Sequence, residues 1–99
     1  MVKVVWTESS LSDLKDIFDY IADDSIRYAS ITVNRLYQRA QQIVINPSMG
    51  RIVPEFNIKT IRELIEGNYR IIYRIKNKMQ IDILRVIHTA RLLKKKGLR

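Results

Sequence analysis

The chain has 99 residues and a mass of 11.7 kDa, with 18 Lys+Arg against 10 Asp+Glu, a formal charge of +8, no cysteine and a single histidine. A chain of this length is expected to form one domain over residues 1–99 that buries about 60–70% of its unfolded surface, which excludes a large enzyme built around an internal cavity. With no cysteine there is no disulfide framework, thiol nucleophile or cysteine zinc site, and His88 alone cannot build a histidine cluster, so neither metal nor cofactor is expected.

Val2 to Trp6 concentrates β-branched and aromatic residues and reads as a short first strand. The polar break Thr7-Glu8-Ser9-Ser10 opens a helix, with Ser9 or Ser10 as its cap. Leu11, Leu14, Ile17, Phe18 and Ile21 recur at spacings of three and four, and Asp13, Asp16 and Asp19 fall on the opposite side. Asp23 and Asp24 oppose the dipole at its C-terminal end. A second helix is predicted from Ser25 to Ile45, with Ala29, Val33, Leu36, Ala40, Ile43 and Val44 as its buried stripe; Pro47 excludes the helical conformation at Asn46. The two helices form an antiparallel hairpin. Residues Pro47 to Thr60 hold both prolines and no lasting periodicity, and read as a long loop with a task of its own.

Three strands follow: Ile61 to Glu66, Tyr69 to Lys76 and Gln80 to His88, joined by turns at Gly67-Asn68 and near Asn77-Lys78. The fold class is α+β, in the order β-α-α-β-β-β, with the hairpin on one face of a mainly antiparallel four-stranded sheet. A three-residue loop at Asn77-Lys78-Met79 places Tyr69, Ile71, Tyr73, Ile75, Ile81, Ile83 and Ile87 against the helices. Each such side chain contributes about 1.5–3 kcal/mol on burial, which decides for this register. It also sets Arg74 opposite Asp82 and Arg70 opposite Val86, so that Arg70, Arg74, Lys76 and His88 share the open face. Arg85 falls among the apolar set, its stem buried and its head reaching solvent.

Charge is divided unevenly. Residues 1–50 carry five basic and six acidic side chains, and residues 51–99 carry thirteen basic and four acidic. Clustered cations on a chain of pI about 10.1 point to nucleic acid or to an acidic protein partner. No apolar run approaches the roughly 20 residues of a transmembrane helix, and the start lacks the long apolar stretch of a signal peptide, so a cytoplasmic chain with no membrane partner is expected.

The order of short words along the chain resembles the RelE/ParE superfamily of bacterial toxins from type II toxin–antitoxin systems. These words are Trp6-Thr7, the helix Leu11 to Ala22, Pro47-x-x-Gly50-Arg51, Pro54-Glu55, Ile61-Arg62-Glu63-Leu64, Tyr69 to Arg74, and Val86-Ile87-His88-Thr89-Ala90-Arg91. The long helical hairpin and the closing H-x-x-R are similar to the ParE, or plasmid stabilisation, branch. That resemblance implies a growth-inhibiting toxin that poisons DNA gyrase with no chemistry of its own, neutralised by a cognate antitoxin in a hetero-oligomer. The antitoxin is expected to lay an acidic, apolar segment beside the sheet and hairpin.

RelE-like relatives imply the alternative, an endoribonuclease that cuts mRNA on the ribosome. In one RelE-type subgroup a loop glutamate, an arginine of the third strand and a histidine ending the fourth carry cleavage, and Glu55, Arg70 and His88 stand at comparable places. There Glu55 takes the 2′-hydroxyl proton, Arg70 stabilises the phosphate and His88 protonates the leaving oxygen. The same subgroup has a tyrosine where this chain has Thr89. For partner binding in either case, the expected basic face comprises Arg51, Arg62, Arg70, Arg74 and Arg91.

Overall fold

The structure is a computed structural model that describes residues 1–90. Its elements are β1 (Lys3–Trp6), α1 (Glu8–Ala22), α2 (Ile26–Gln41), a 3-10 turn (Gln42–Val44), β2 (Arg51–Ile52), β3 (Ile61–Glu66), β4 (Tyr69–Asn77) and β5 (Gln80–His88). Among the described residues these strands form one five-stranded sheet in the order β1-β5-β4-β3-β2. The strand beyond the four expected is β2, two residues of the long loop that pair antiparallel with β3. β1 lies parallel beside β5, and the other neighbours are antiparallel.

The helix ends follow side-chain chemistry. Thr7, two or three residues before the expected serines, caps α1 by accepting from the Ser10 N–H, while its own hydroxyl donates to the Ile83 carbonyl at 2.8 Å. The cap therefore also ties the helix to the sheet. Ser25 caps α2 through the Tyr28 N–H. Leu14 and Ile17 of α1 and Leu36, Ala40 and Ile43 behind them pack on Ile71, Tyr73, Ile81, Ile83 and Val86 of the sheet. Leu11, assigned to the buried stripe from its spacing, is 53% exposed, whereas the neighbouring Ser10 is fully buried, its hydroxyl donating to the Thr7 carbonyl at 2.8 Å.

Two bulges set the register of β4 on β5, one between Ile72 and Tyr73 and one between Ile75 and Asn77. The second reconciles a short turn with the expected pairing: Lys76 is the extra residue, Asn77 accepts the Met79 N–H at 2.8 Å, and Arg74 still opposes Asp82. The first bulge overturns the expectation beyond it. Leu84 is the extra residue there, so Arg70 opposes Ile87 and Tyr69 opposes His88. The side-chain alternation flips with it. Val86, not Ile87, joins the helix-side core, and His88 shares the side of Tyr69 rather than that of Arg70.

The face away from the helices is not open. Val53, Phe56 and Ile61, from the loop and its junction with β3, cover Ile72, Leu84 and Ile87. The task of the long loop is therefore first to close a second, smaller core. It is pinned at its start by Tyr73, whose hydroxyl donates to the Pro47 carbonyl at 2.7 Å and accepts the Gly50 N–H at 3.0 Å. A Cβ at Gly50 would lie 2.6 Å from the Glu63 carbonyl oxygen and 2.7 Å from the Tyr73 hydroxyl, which explains the glycine there.

Candidate functional site

The far side of the sheet gathers most of the residues singled out from the sequence. Arg70 is 5% exposed, and its guanidinium is held by two carboxylates. Nη1 and Nη2 donate to Glu55 at 2.8 Å each, a bidentate fork, and Nε donates to Glu63 at 2.7 Å. The hydrogen bonds it donates to Glu55 raise the Arg70 pKa; burial acts against the cation, and Glu63 adds to the upward direction. Glu63 is itself buried, at 1% exposure, and takes a second ion pair from Arg51. The four side chains form a chain Arg51–Glu63–Arg70–Glu55 with two charges of each sign.

Further along β4, Arg74 pairs with Asp82 at 2.9 Å, and Gln80 donates to the same carboxylate at 2.7 Å. Burial pushes the Asp82 carboxyl up, but the hydrogen bonds from Gln80 and Arg74 and the charges of Arg74 and Lys76 outweigh it and leave the pKa lowered. Arg62 opposes Tyr73 and spends its guanidinium on the carbonyls of Lys59 and Gly50, at 3.1 and 3.0 Å. The expected basic face is thus not one surface: Arg51, Arg70 and Arg74 are each paired with a carboxylate, whereas Arg62 lies on the side of Tyr73 and is bonded to carbonyls. Arg51, in β2, is paired with Glu63, and Arg91 lies outside the described residues.

Glu55 and Arg70 are brought together; His88 is not brought to them. Its ring meets Tyr69 edge-on at 6.1 Å, and its Nδ1 accepts the Ala90 N–H at 3.2 Å. It lines a groove with Asp13, Asp16, Ile17 and Tyr20 on the helical side. The cause is the bulge at Leu84, which turns the end of β5 by one residue.

Sequence reasoning missed Asp13, which holds that bulge. Its carboxylate accepts from Arg85 Nε and Nη2 at 2.7 and 3.0 Å and from the Val86 N–H at 2.8 Å. Hydrogen bonding to Asp13 raises the Arg85 pKa against the effect of burial. The available signal was Arg85 itself: an arginine within an apolar strand requires a buried counter-ion, and Asp13 adjoins the inward-facing Leu14.

A model of the family described as ParE toxin of type II toxin–antitoxin system, parDE, matches residues 4–93. The chain belongs to the ParE toxin family. "Toxin RelE2" of Caulobacter vibrioides is 36% identical over 93 residues, which cover 93% of this chain and all of that relative. A chain of the solved "Chromosomal ParDE TA system from P. aeruginosa" superposes with a TM-score of 0.73 at 24% identity, covering 89% of this chain and 96% of that one. This ParE-family chain is therefore a toxin of the ParE/RelE superfamily, and its family implies an antitoxin partner. Among the described residues no helix is long and apolar enough to cross a membrane.

Proposed function

We propose that the chain is the toxin of a type II pair that arrests growth by poisoning DNA gyrase in the cytoplasm and is neutralised by its cognate antitoxin. The observation that carries this reading over RNA cleavage is the pairing of Arg70. A phosphate-stabilising arginine must offer N–H groups to the phosphate, whereas here Glu55 and Glu63 occupy them. His88, the single histidine of the sequence, faces the other side of the sheet. The match to the parDE toxin family supports the same direction.

An antitoxin segment has a suitable groove on the helical side. Ile21, Tyr28, Leu36 and Tyr69 offer apolar and aromatic surface, and Arg35 offers a cation beside them, in a cleft of about 220 Å³. An apolar anchor followed by a carboxylate fits that combination.

Gyrase from the native host decides the reading. The purified chain, added to a supercoiling reaction, is expected to accumulate cleaved DNA, and the cognate antitoxin is expected to abolish it. Absence of cleaved DNA at micromolar chain refutes the gyrase reading. In a translating extract the message is expected to stay intact; codon-positioned breaks lost in Arg70→Ala and His88→Ala would establish the ribosome-dependent nuclease instead.

A further inference from the structure

On one side the sheet ends at β1, whose strand neighbour among the described residues is β5 alone. The backbone polar groups of this short strand, Lys3-Val4-Val5-Trp6, divide by alternation. The Lys3 N–H donates to the Met79 carbonyl at 2.9 Å and the Thr7 N–H to the Ile83 carbonyl at 3.2 Å, so residues 3, 5 and 7 turn their N–H and C=O groups toward β5. Val4 and Trp6 turn theirs outward, where no described strand meets them. The side chains at this edge are incompletely covered. Val4, Val5 and Trp6 are half-buried, and Tyr37, stacked on Trp6 with ring centroids 5.6 Å apart, is 43% exposed. Native edges are commonly blunted by charge, proline or a bulge; within this strand the one such residue is Lys3, at its start.

We propose that the β1 edge is a docking site for a second copy of the chain, whose β1 adds antiparallel across a two-fold axis through Val5. In that register Val4 and Trp6 of each copy exchange N–H···O=C bonds with Trp6 and Val4 of the other, which uses every outward group of the strand. The cross-strand neighbours are then Val4 with Trp6 on the helical side and Val5 with Val5 on the far side, β-branched and aromatic pairs of the kind that stabilise antiparallel sheets. Charge and topology set the register. Centred on Val5, Lys3 stands opposite Thr7 of the second copy, and the two lysines lie about 13 Å apart along the strands. Centred on Val4, the lysines become diagonal neighbours on one face; centred on Trp6, the strand runs into the start of α1 at Glu8. The edge is thus self-complementary in hydrogen bonds, side chains and charge, as an isologous contact requires. A short strand on each side makes a small interface, so the association is weak and concentration-dependent. β1 contributes nothing to the cleft offered to the antitoxin, and the pairing is independent of which cellular target the toxin takes.

The absence of cysteine makes a direct test clean. At the axis the two Val5 residues form a non-hydrogen-bonded pair with Cα atoms about 4.5 Å apart, within the range a disulfide spans. In the full chain, Val5→Cys is expected to form a disulfide-linked dimer in about tenfold higher yield than Lys3→Cys, which projects from the same face of the same strand. Equal yields, or a preference for Lys3→Cys, would overturn the proposal. The unsubstituted chain is expected to sediment with a mass rising from 11.7 kDa toward twice that value as its concentration approaches about 1 mM. Val5→Lys, which sets like charges face to face on the axis, is expected to stay monomeric, and its equimolar mixture with Val5→Glu to associate again. A natural chain that stays at 11.7 kDa throughout overturns the pairing whatever the variants do, and a dimer indifferent to Val5→Lys overturns its location. Protection of the Val4 and Trp6 amides from hydrogen exchange only when antitoxin is added would assign the edge to that chain instead.

Discussion

Replacing Arg70 by methionine removes the one cation that joins Glu55 to Glu63, and the consequence for stability can be worked from the exposure of each partner. The side chains of Arg70 and Glu63 are 6% and 0% exposed, and that of Glu55 is 17% exposed. Deleting one partner of a buried ion pair costs about 3–5 kcal/mol, because the remaining charge is left desolvated. Glu63 keeps Arg51, and Glu55 lies near enough to the surface to turn into water, so the lower end of that range applies, about 3 kcal/mol. At about 4–8 °C per kcal/mol for a domain near this size, the midpoint of thermal unfolding falls by about 12–24 °C. Trp6 is the only tryptophan and stacks on Tyr37 with ring centroids 5.6 Å apart, so its fluorescence reports unfolding in urea. With a slope of about 1–3 kcal/mol per molar, the urea midpoint drops by about 1–3 M. Glu63→Gln combined with Arg70→Met is expected to recover much of the loss, since both buried charges are then gone. A loss under about 1 kcal/mol in Arg70→Met would refute the reasoning. Arg70 would then be a loosely held cation, available to a phosphate, and the nuclease reading would regain its main support.

Asp13→Ala is expected to cost about 2–4 kcal/mol, because it strands the Arg85 guanidinium and frees the Val86 amide. Hydrogen exchange at Val86 checks it, and an amide that stays protected would mean that Asp13 does not hold the bulge. The lowered pKa of Asp82 contributes stability that is present above the unfolded carboxylate value of about 3.9 and is lost as pH falls through the lower folded value. The stability difference between the natural chain and Asp82→Asn is therefore expected to hold constant near neutrality and to close on acidification below about pH 4; a difference that widens there would reverse the assigned direction.

Local pattern and local chemistry explain how much of the fold was legible. The bounds of β3 and β5 follow from β-branched runs between turn residues, and the helical hairpin follows from apolar spacing and the Ser25 cap. The Arg74–Asp82 pairing followed from matching apolar faces, and it survives even though the connection is a short turn plus a bulge. The family resemblance rested on the order of short words, and a match over residues 4–93 agrees with it.

The candidate site was legible only as a list of residues. Glu55 and Arg70 meet because the loop after Pro47 folds back over the far face, a contact between residues 15 apart that no periodicity encodes. His88 went astray for a sharper reason. A strand alternates with period two, so one extra residue exchanges the faces of everything beyond it. The signal for that residue is a distant carboxylate, Asp13, 73 positions before Val86, whose amide it holds from the neighbouring helix. Composition, order of elements and family were properties of the sequence, because they depend on near neighbours and on the totals of apolar and charged side chains. Which cations are free, which are clamped, and on which side of the sheet the histidine stands were decided by tertiary structure, because a buried charge takes whatever counter-charge the fold brings within hydrogen-bonding distance.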